Sequence, residues 1–285
     1  MLAPSARFWR CDERLVPRWV CHAGPAVDTD AQDAPPERNP ARTQSVTRSV
    51  LVLQFLELHG DAGVTQLGEH LGVSPSTAHR LARTLCDVGF VAQDPRTERY
   101  HLGPALIPLG RAAETRSGFD SLRPEVEDLA AATGESVSLG VRQGSSVLVV
   151  LRVASPHPLR FDQQPGSRVP IHASAMGKAM LAFSTGGPNR LRRLDPITAA
   201  TITDPALFED ELAEIRARGW ALNDEERHQG VRAVGVPLLD PSTRTAIAAI
   251  AVQGPTLRVT DDRIPEIAEL AMTRAAVMSR LLAGR

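Results

Sequence analysis

The segment from Thr65 to Leu85, TQLGEHLGVSPSTAHRLARTL, most constrains what this chain can fold into. Leucines four residues apart give a first short helix one apolar face, and Thr65 is expected to cap that helix. Gly72 permits a sharp change of direction after it. Ser74 followed by Pro75 predicts the start of a second helix, because serine is a favoured N-cap and proline is favoured at the first helical position. The pattern predicts a helix-turn-helix.

The predicted second helix has an apolar side and a polar side. Apolar residues recur at spacings of three and four, which indicates one stripe toward the core: Ala78, Leu81, Leu85 and Val88. The opposite side carries hydroxyl groups near the helix start and basic groups further along: Ser76, Thr77, His79, Arg80, Arg83 and Thr84. Hydroxyls and amides at a helix start can bind phosphate, and arginine reaches phosphates or guanine edges. This side is therefore predicted to enter the major groove of double-stranded DNA.

A predicted hairpin follows the second helix directly. Two short strand-like runs, at 90–93 and 99–102, flank a turn at 94–98 that contains a proline at a favoured position. Such a hairpin is a wing, with Arg96 at its tip and Arg99 on its flank. A preceding helix is indicated by apolar residues at helical spacing: Val46, Val50, Leu53 and Leu56. Together these elements predict a winged helix-turn-helix domain over residues 45–103.

Charge leaves two interpretations of this domain open. From Ser45 to Arg111 there are six arginines and six acidic residues, and the whole chain has a net charge of −1. Domains that bind nucleic acid are often strongly basic, so only the placement of the arginines favours DNA. The alternative is a small-molecule-binding or sensing protein whose winged helix serves protein contacts rather than DNA.

Length and composition predict two domains and an unusual N-terminal tail. A chain of 285 residues with 42% apolar residues can form about two cores, and no apolar run approaches a membrane-spanning length. Three cysteines make no disulfide framework, which favours a reducing cytoplasm. Residues 1–44 are expected to be a disordered or extension tail, since much of it is rich in proline, alanine and aspartate. Cys11, Cys21 and His22 lack a fourth ligand, so no metal is expected there.

The remaining residues predict a linker helix and an α+β domain. Residues 104–118 should contain a helix with an apolar side that contacts either a second copy of the chain or its own domain. Residues 119–285 alternate helices with strands that are mostly joined by hairpins, which predicts an antiparallel sheet with helices on one face. The fold class is thus a two-domain α+β protein.

Enzymatic interpretations have little support in the sequence. Ser174 and Lys178 are four residues apart, whereas a Ser-x-x-Lys nucleophile pair needs three, and Gly177-Lys178 lacks the glycine-rich approach of a phosphate loop. Lys178 is expected on a helix flank, paired with an acid. The acidic run at 224–226 has no histidine at ligand spacing, and His228 falls in a predicted loop. No catalytic residue, metal or cofactor is predicted.

Several separate motifs resemble the IclR-type bacterial transcription regulators. In the first half they are Ser45-Val46-Thr47-Arg48-Ser49-Val50, the run from Ser74 to Leu81, Gly89-Phe90-Val91 and Tyr100-His101-Leu102-Gly103. In the second half they are the run from His172 to Ala179, Asn223-Asp224-Glu225-Glu226, Gly230-Val231-Arg232-Ala233 and Gln253-Gly254-Pro255. The resemblance implies a winged helix, a linker helix and a GAF-like effector-binding domain that act as a homodimer or dimer of dimers. A small metabolite bound in the second domain would change the affinity for a two-fold related operator.

The resemblance also implies which residues contact DNA and effector. With the helix and wing patterns it indicates a DNA-binding set: Arg48, Thr65, Ser74, Ser76, Thr77, His79, Arg80, Arg83, Arg96 and Arg99. Carried over position by position, the effector contacts fall on Ser174, Ala175, Met176, Asn223, Ala233, Ala251 and Gln253. Several of these positions lack the polar side chain usual in the family, and Met176 adds flexible apolar bulk. We therefore expect an organic acid with a larger apolar or aromatic body, its carboxylate at a helix start. The alternative is that these positions only pack the core.

Overall fold

The structure is a computed structural model that describes residues 44–184, 191 and 193–283. The predicted tail, with Cys11, Cys21 and His22, lies outside this range except for its last residue, Gln44. The described residues divide into two units between Arg116 and Ser117. Within them, no helix is both long enough and apolar enough to cross a membrane.

The N-terminal unit contains four helices and a small antiparallel sheet within the described residues. Its elements are α1 (Gln44–His59), β1 (Asp61–Ala62), α2 (Val64–Leu71), α3 (Pro75–Asp87), β2 (Val91–Gln93), β3 (Tyr100–Leu102) and α4 (Leu106–Ser117). The strand order is β1-β3-β2, so the hairpin β2–β3 carries β1 on its outer edge. Helices α2 and α3 form the predicted helix-turn-helix, and the hairpin after α3 is the wing.

The turn between α2 and α3 follows the predicted chemistry, but the cap of α2 does not. Gly72 ends α2 with φ 61°, a left-handed conformation that glycine adopts without steric cost. Ser74 is the N-cap of α3, and its Oγ accepts a hydrogen bond from the Thr77 amide at 3.4 Å. The prediction that Thr65 caps α2 is wrong. The cap is Gly63, whose amide donates to Oε1 of Gln66 at 3.1 Å, so α2 begins two residues earlier than a cap at Thr65 would place it.

The buried faces of α1 and α3 differ from the faces that the apolar spacing predicts. In α1 the fully buried residues are Val52 and Leu56, whereas Val46 and Val50 are 62% and 47% exposed. In α3 the buried residues are Ala78, Ala82 and Leu85, while Leu81 is half-buried and Val88 lies exposed beyond the helix end. The small side chains of the alanines let neighbouring helices approach closely. A prediction that selects the larger apolar residues of a helix as its buried ones overlooks this effect.

The C-terminal unit contains four helices and a six-stranded sheet within the part of the chain described. Its elements are α5 (Arg123–Thr133), β4 (Ser136–Gln143), β5 (Ser146–Val153), β6 (Arg168–Pro170), α6 (Ala175–Ala182), α7 (Pro205–Arg218), β7 (Ala221–Asp224), β8 (Val231–Leu239), β9 (Ala246–Pro255) and α8 (Ile264–Ala283). The strand order is β6-β5-β4-β9-β8-β7, and every pairing is antiparallel. The α+β prediction is therefore confirmed.

Helices cover both faces of this sheet, so the prediction of helices on one face is wrong. One core cluster joins α5 and α8 to residues such as Val234, Ile250 and Val252, and a second joins α6 and α7 to Ala249 and Ala251. Alternate residues of β9 thus point into different clusters, and seven consecutive residues of β9 are buried. A strand that is buried on both faces carries a nearly continuous run of apolar residues, without alternating polar ones. The sequences of β8 and β9 contain such runs and could have indicated that helices cover both faces.

Candidate DNA-binding face and effector site

The polar side of α3 is open to solvent and its apolar side is anchored. Arg80 and Arg83 are exposed, together with Ser76 and His79, while Thr77 is half-buried. The Oγ of Ser74 lies 3.0 Å from the hydroxyl oxygens of both Ser76 and Thr77. The helix therefore presents a cluster of hydroxyl groups at its start and guanidinium groups one and two turns later. This arrangement suits phosphate contacts at the N-terminal start of α3 and base contacts along its exposed side.

The wing turn places Arg96 in solvent. Oδ1 of Asp94 accepts hydrogen bonds from the amides of Arg96 at 2.7 Å and Thr97 at 3.1 Å. These backbone bonds, with Arg96 the larger contributor, lower the pKa of the Asp94 carboxyl. The turn is thus held by its first residue, which leaves the Arg96 side chain available to a phosphate.

Arg99 is occupied within its own domain. Its Nε donates to Oδ1 of Asp61 at 2.8 Å, and its Nη2 donates to the Asp61 carbonyl at 3.3 Å and to Oε1 of Gln66 at 3.1 Å. The Arg99 guanidinium thus ties the wing to β1 and α2, and the predicted contact of Arg99 with DNA stays a prediction. Thr65 is exposed in the first turn of α2, and Arg48 is half-buried on α1.

The linker helix α4 buries none of its residues. Ile107 and Leu109 are 58% and 51% exposed, so its apolar residues are not used by the core of the N-terminal unit. The helix is therefore left with apolar side chains that an interaction with another surface would cover.

In the C-terminal unit, the backbone at the start of α6 lies very close to the segment that precedes it. Ser174 is its N-cap, and Oγ of Ser174 accepts from the Gly177 amide at 3.2 Å. A Cβ at Gly177 would lie 2.0 Å from the carbonyl oxygen of Ile171, so only glycine fits. The amides of Ala175 and Met176 at the first two helical positions have no acceptor within the helix. They are positioned to bind an anion.

One cavity of about 20 Å³ lies at this helix start. It is lined by all seven residues of the predicted effector set, which the fold brings together from α6, β7, β8 and β9: Ser174, Ala175, Met176, Asn223, Ala233, Ala251 and Gln253. A cavity of this volume holds about one water molecule. An effector of any larger size must therefore displace side chains when it enters.

Two amide side chains of the cavity wall are held by the protein. Nδ2 of Asn223 donates to the Ala173 carbonyl at 2.6 Å, a bond that an aspartate at this position could not make. Nε2 of Gln253 donates to Oγ of Ser138 at 2.9 Å. Each NH2 group thus makes one hydrogen bond within the protein, which orients the side chain in the wall.

Sequence reasoning missed five residues of the cavity lining: Phe161, Gln163, Arg227, His228 and Val231. Arg227 and His228 directly follow the motif Asn223–Glu226, and that adjacency was the available signal. Phe161 and Gln163 lie in the long connection between β5 and β6, where no periodicity marks them. The Phe161 ring lies 4.9 Å from the His228 ring and 5.9 Å from Cζ of Arg227. Burial lowers the pKa of Arg227 to about 10 and, with the Arg227 charge, also lowers the pKa of His228.

Lys178 is buried rather than placed on an exposed helix flank. It is 1% exposed, and its Nζ lies 2.5 Å from Oε1 of Glu226 and 3.3 Å from Oε1 of Glu211. The expected pairing with an acid is present, but the expected position is corrected. Burial raises the pKa of Glu226, and the nearby Lys178 charge opposes that effect. Among residues 44–184, 191 and 193–283, no group of three or more potential ligands is arranged for a metal ion.

Comparisons with known proteins decide the class to which both sites belong. Residues 45–95 match the IclR helix-turn-helix domain, and residues 115–280 match the bacterial transcriptional regulator IclR C-terminal domain. The chain belongs to the IclR family of bacterial transcriptional regulators. It is 34% identical over 249 residues to the HTH-type transcriptional regulator BhcR of Paracoccus denitrificans, covering 85% of this chain and 88% of that protein. It is 35% identical over 253 residues to the glycerol operon regulatory protein of Streptomyces griseus, covering 85% and 98%.

Solved structures of IclR-type regulators share the fold. An IclR transcriptional regulator from Alicyclobacillus acidocaldarius has a TM-score of 0.75 at 28% identity, covering 85% of this chain and 99% of that one. An IclR homologue from Microbacterium hydrocarbonoxydans complexed with 4-hydroxybenzoate has a TM-score of 0.70 at 21% identity, covering 85% and 100%. This IclR-type chain is therefore a DNA-binding transcriptional regulator with a small-molecule effector domain. The family assignment and the DNA-binding prediction are confirmed, and the interpretation of the winged helix as a module for protein contacts only is not supported.

Proposed function

We propose that this regulator reads its operator through α3, with Ser76, Thr77 and Arg80 nearest the bases. Arg83, Arg48 and Arg96 bind the phosphate backbone on either side of the groove, and Ser74, Thr65 and His79 lie at the margin of the same contact. The observation that supports this assignment is the exposure of Arg80 and Arg83 on a helix whose opposite side is buried. A groove contact needs this division of one helix into an anchored side and an open side. We assign the chain no catalytic role, and place its action in the cytoplasm with the DNA that it binds.

The regulator acts as a homodimer, or a dimer of dimers, on a two-fold related operator. The exposed apolar residues of α4, Ile107 and Leu109, support this assembly, and so do the exposed valines of α1. A dimer with two-fold symmetry presents two recognition helices, so it selects two half-sites related by the same symmetry. The alternative in which α4 only packs on its own domain has no buried residue to support it.

The effector is an organic acid with an apolar or aromatic body. Its carboxylate binds at the amides of Ala175 and Met176, and its body displaces Met176 and contacts Ala233 and Ala251. The support is a cavity whose wall combines a helix start with apolar side chains. A regulator of the same fold is complexed with 4-hydroxybenzoate, an acid of this kind. Because the unfilled cavity holds about one water, ligand entry must rearrange the effector domain, and this rearrangement shifts the operator-binding population.

Footprinting tests the proposal. The full-length protein is incubated with the DNA upstream of its own coding sequence, with and without a panel of acids that runs from glyoxylate and pyruvate to benzoate and 4-hydroxybenzoate. We expect two protected half-sites related by a two-fold axis, whose affinity changes with the larger acids. Calorimetry with the same panel measures effector binding directly. Tight binding of only the smallest acids would contradict the assignment of a larger effector, and a single protected half-site would contradict the dimer.

A further inference from the structure

The wall of the cavity at the start of α6 contains an arginine that has no ion-pair partner among the residues that the structure describes. Among the described residues, the Arg227 guanidinium makes no hydrogen bond and no ion pair, and it lies beside the Phe161 ring. The two neighbouring acids are engaged elsewhere. Glu226 is bound to Lys178, and Oε2 of Glu225 accepts from the Gly230 amide at 2.6 Å. Neither of these two acids forms an ion pair with Arg227.

A half-buried arginine without a counterion is unfavourable in the empty protein. Charged groups withdrawn from water are normally paired, because their lost hydration is not otherwise replaced. Burial also lowers the pKa of Arg227 to about 10, well below the usual value of an arginine side chain. A cation–π contact at 5.9 Å from the ring centroid compensates only part of the lost hydration. An anion in the cavity would supply the missing partner.

A second polar group of the same wall is also unsatisfied. Gln163 is 6% exposed, and its Oε1 has no hydrogen-bond partner within the described residues. Buried polar atoms are nearly always paired, so an unpaired amide that lines a cavity indicates a missing water or ligand group. Arg227 and Gln163 thus form one unsatisfied polar region beside Phe161, contributed by segments outside the α6 helix start.

We propose that Arg227 is the residue that selects for the charge of the effector, by forming an ion pair with the effector carboxylate that the helix amides orient. This inference rests on the proposed organic-acid effector and assigns the countercharge at that site. The amides of Ala175 and Met176 are neutral and would bind a carbonyl or an amide oxygen as well. A cation beside them adds a much stronger preference for a carboxylate over its uncharged analogue than the helix start gives by itself. Gln163 accepts from, or donates to, a second polar group of the same ligand.

The test compares Arg227→Met with Arg227→Lys and with Arg280→Met as the control. Arg280 is exposed on α8, which covers the sheet face opposite α6, so its replacement removes one positive charge without touching the cavity. Binding of benzoate, 4-hydroxybenzoate and their amides is measured by calorimetry on the full-length protein. We expect Arg227→Met to weaken binding of the acids by roughly ten- to a hundredfold and to leave the amides unchanged. Arg227→Lys should retain part of the preference for the acids over their amides, and Arg280→Met should retain all of this preference.

A second measurement needs no ligand. Because Arg227 is an unpaired cation in the empty protein, Arg227→Met should raise the Tm of the unliganded protein, whereas loss of a structural arginine would lower it. A lowered Tm overturns the proposal. If Arg227→Met binds the acids as tightly as the wild type, the helix start alone holds the carboxylate, so the inference fails while the organic-acid effector stands. If the wild type binds neither the acids nor the amides, both the effector class and the inference fail.

Discussion

Nζ of Lys178 lies 2.5 Å from Oε1 of Glu226, and this ion pair joins α6 to the segment that follows β7. Both side chains are buried, at 1% and 6% exposure, and Glu211 lies on the other side of the ammonium group. The residue after Glu226 is Arg227, and α6 begins three residues before Lys178. The pair therefore holds two parts of the cavity wall in a defined relationship.

We expect Lys178→Met to lower the free energy of unfolding of the C-terminal domain by about 3–5 kcal/mol, because the change leaves a buried carboxylate without its partner. The double variant Lys178→Met, Glu226→Leu should recover much of this loss, since it removes both charges. Urea denaturation followed by circular dichroism measures both. A single variant as stable as the wild type would show that the pair is not buried in solution.

Arg80→Ala should weaken specific operator binding by about 1–3 kcal/mol if Arg80 reads a guanine, and should relax the sequence preference at one position of each half-site. Binding is measured by mobility shift on the operator and on point variants of it. The control is Arg280→Ala, which removes an exposed arginine from the effector domain. An unchanged footprint and affinity in Arg80→Ala would remove Arg80 from the reading set.

Arg96→Ala and Arg99→Ala should behave differently, although both arginines lie in the wing. Arg96 is free to bind phosphate, so its loss should reduce the slope of log K against log salt by about 0.9 and weaken binding to all sequences alike. Arg99 ties the wing to Asp61 and Gln66, and the pair with Asp61 is partly exposed, so its loss should reduce stability by no more than about 1 kcal/mol. Salt titrations of DNA affinity, with thermal melting alongside, separate the two effects. Equal salt slopes in Arg99→Ala and Arg96→Ala would contradict the structural role of Arg99.

Gly177→Ala should be strongly destabilising, because its Cβ would overlap the carbonyl of Ile171 at 2.0 Å and the backbone has no room to move. Overpacking of this kind costs about 1–3 kcal/mol or more. Gly110→Ala on α4 is the matched control, since no atom lies within 4 Å of its Cβ position and alanine favours an exposed helix by about 1 kcal/mol. Opposite shifts in Tm are expected. A Gly177→Ala variant that melts like the wild type would place α6 further from the 171–174 segment than described.

Ile107→Glu should weaken self-association of the full-length chain, because a charge would replace an apolar side chain on the exposed surface of α4. Analytical ultracentrifugation over a range of concentrations measures the dimer dissociation constant. Glu114→Gln serves as a control on the same helix, since it alters a charge without altering an apolar residue. An unchanged dissociation constant in Ile107→Glu would place the dimer contact elsewhere.

Local sequence signals identified the functional elements because those signals reflect local chemistry. The Ser74-Pro75 pair starts α3, Gly72 ends α2, and the proline turn at 94–98 closes the wing, each through contacts a few residues apart. The predicted cap of α2 was wrong, because the choice of Thr65 overlooked the bond between the Gly63 amide and the Gln66 side chain. The residues predicted to contact the effector were chosen by their motifs, and the structure places them around one cavity formed by four elements distant in sequence.

The sequence by itself determined the order of elements, the recognition helix with its arginines, the α+β class of the second domain and the family. Only the tertiary structure decided which side of α1 faces the core, that Arg99 is bound to Asp61 and that Lys178 is buried. It also decided that Arg227 lines the cavity at the start of α6 with no ion-pair partner in the described part of the chain. The physical reason is that helix and turn formation depends on neighbours within about four residues, whereas burial and charge pairing depend on which distant segments meet. Arg99 and Asp61 are separated by 38 residues and Lys178 and Glu226 by 48, and no local pattern encodes either contact.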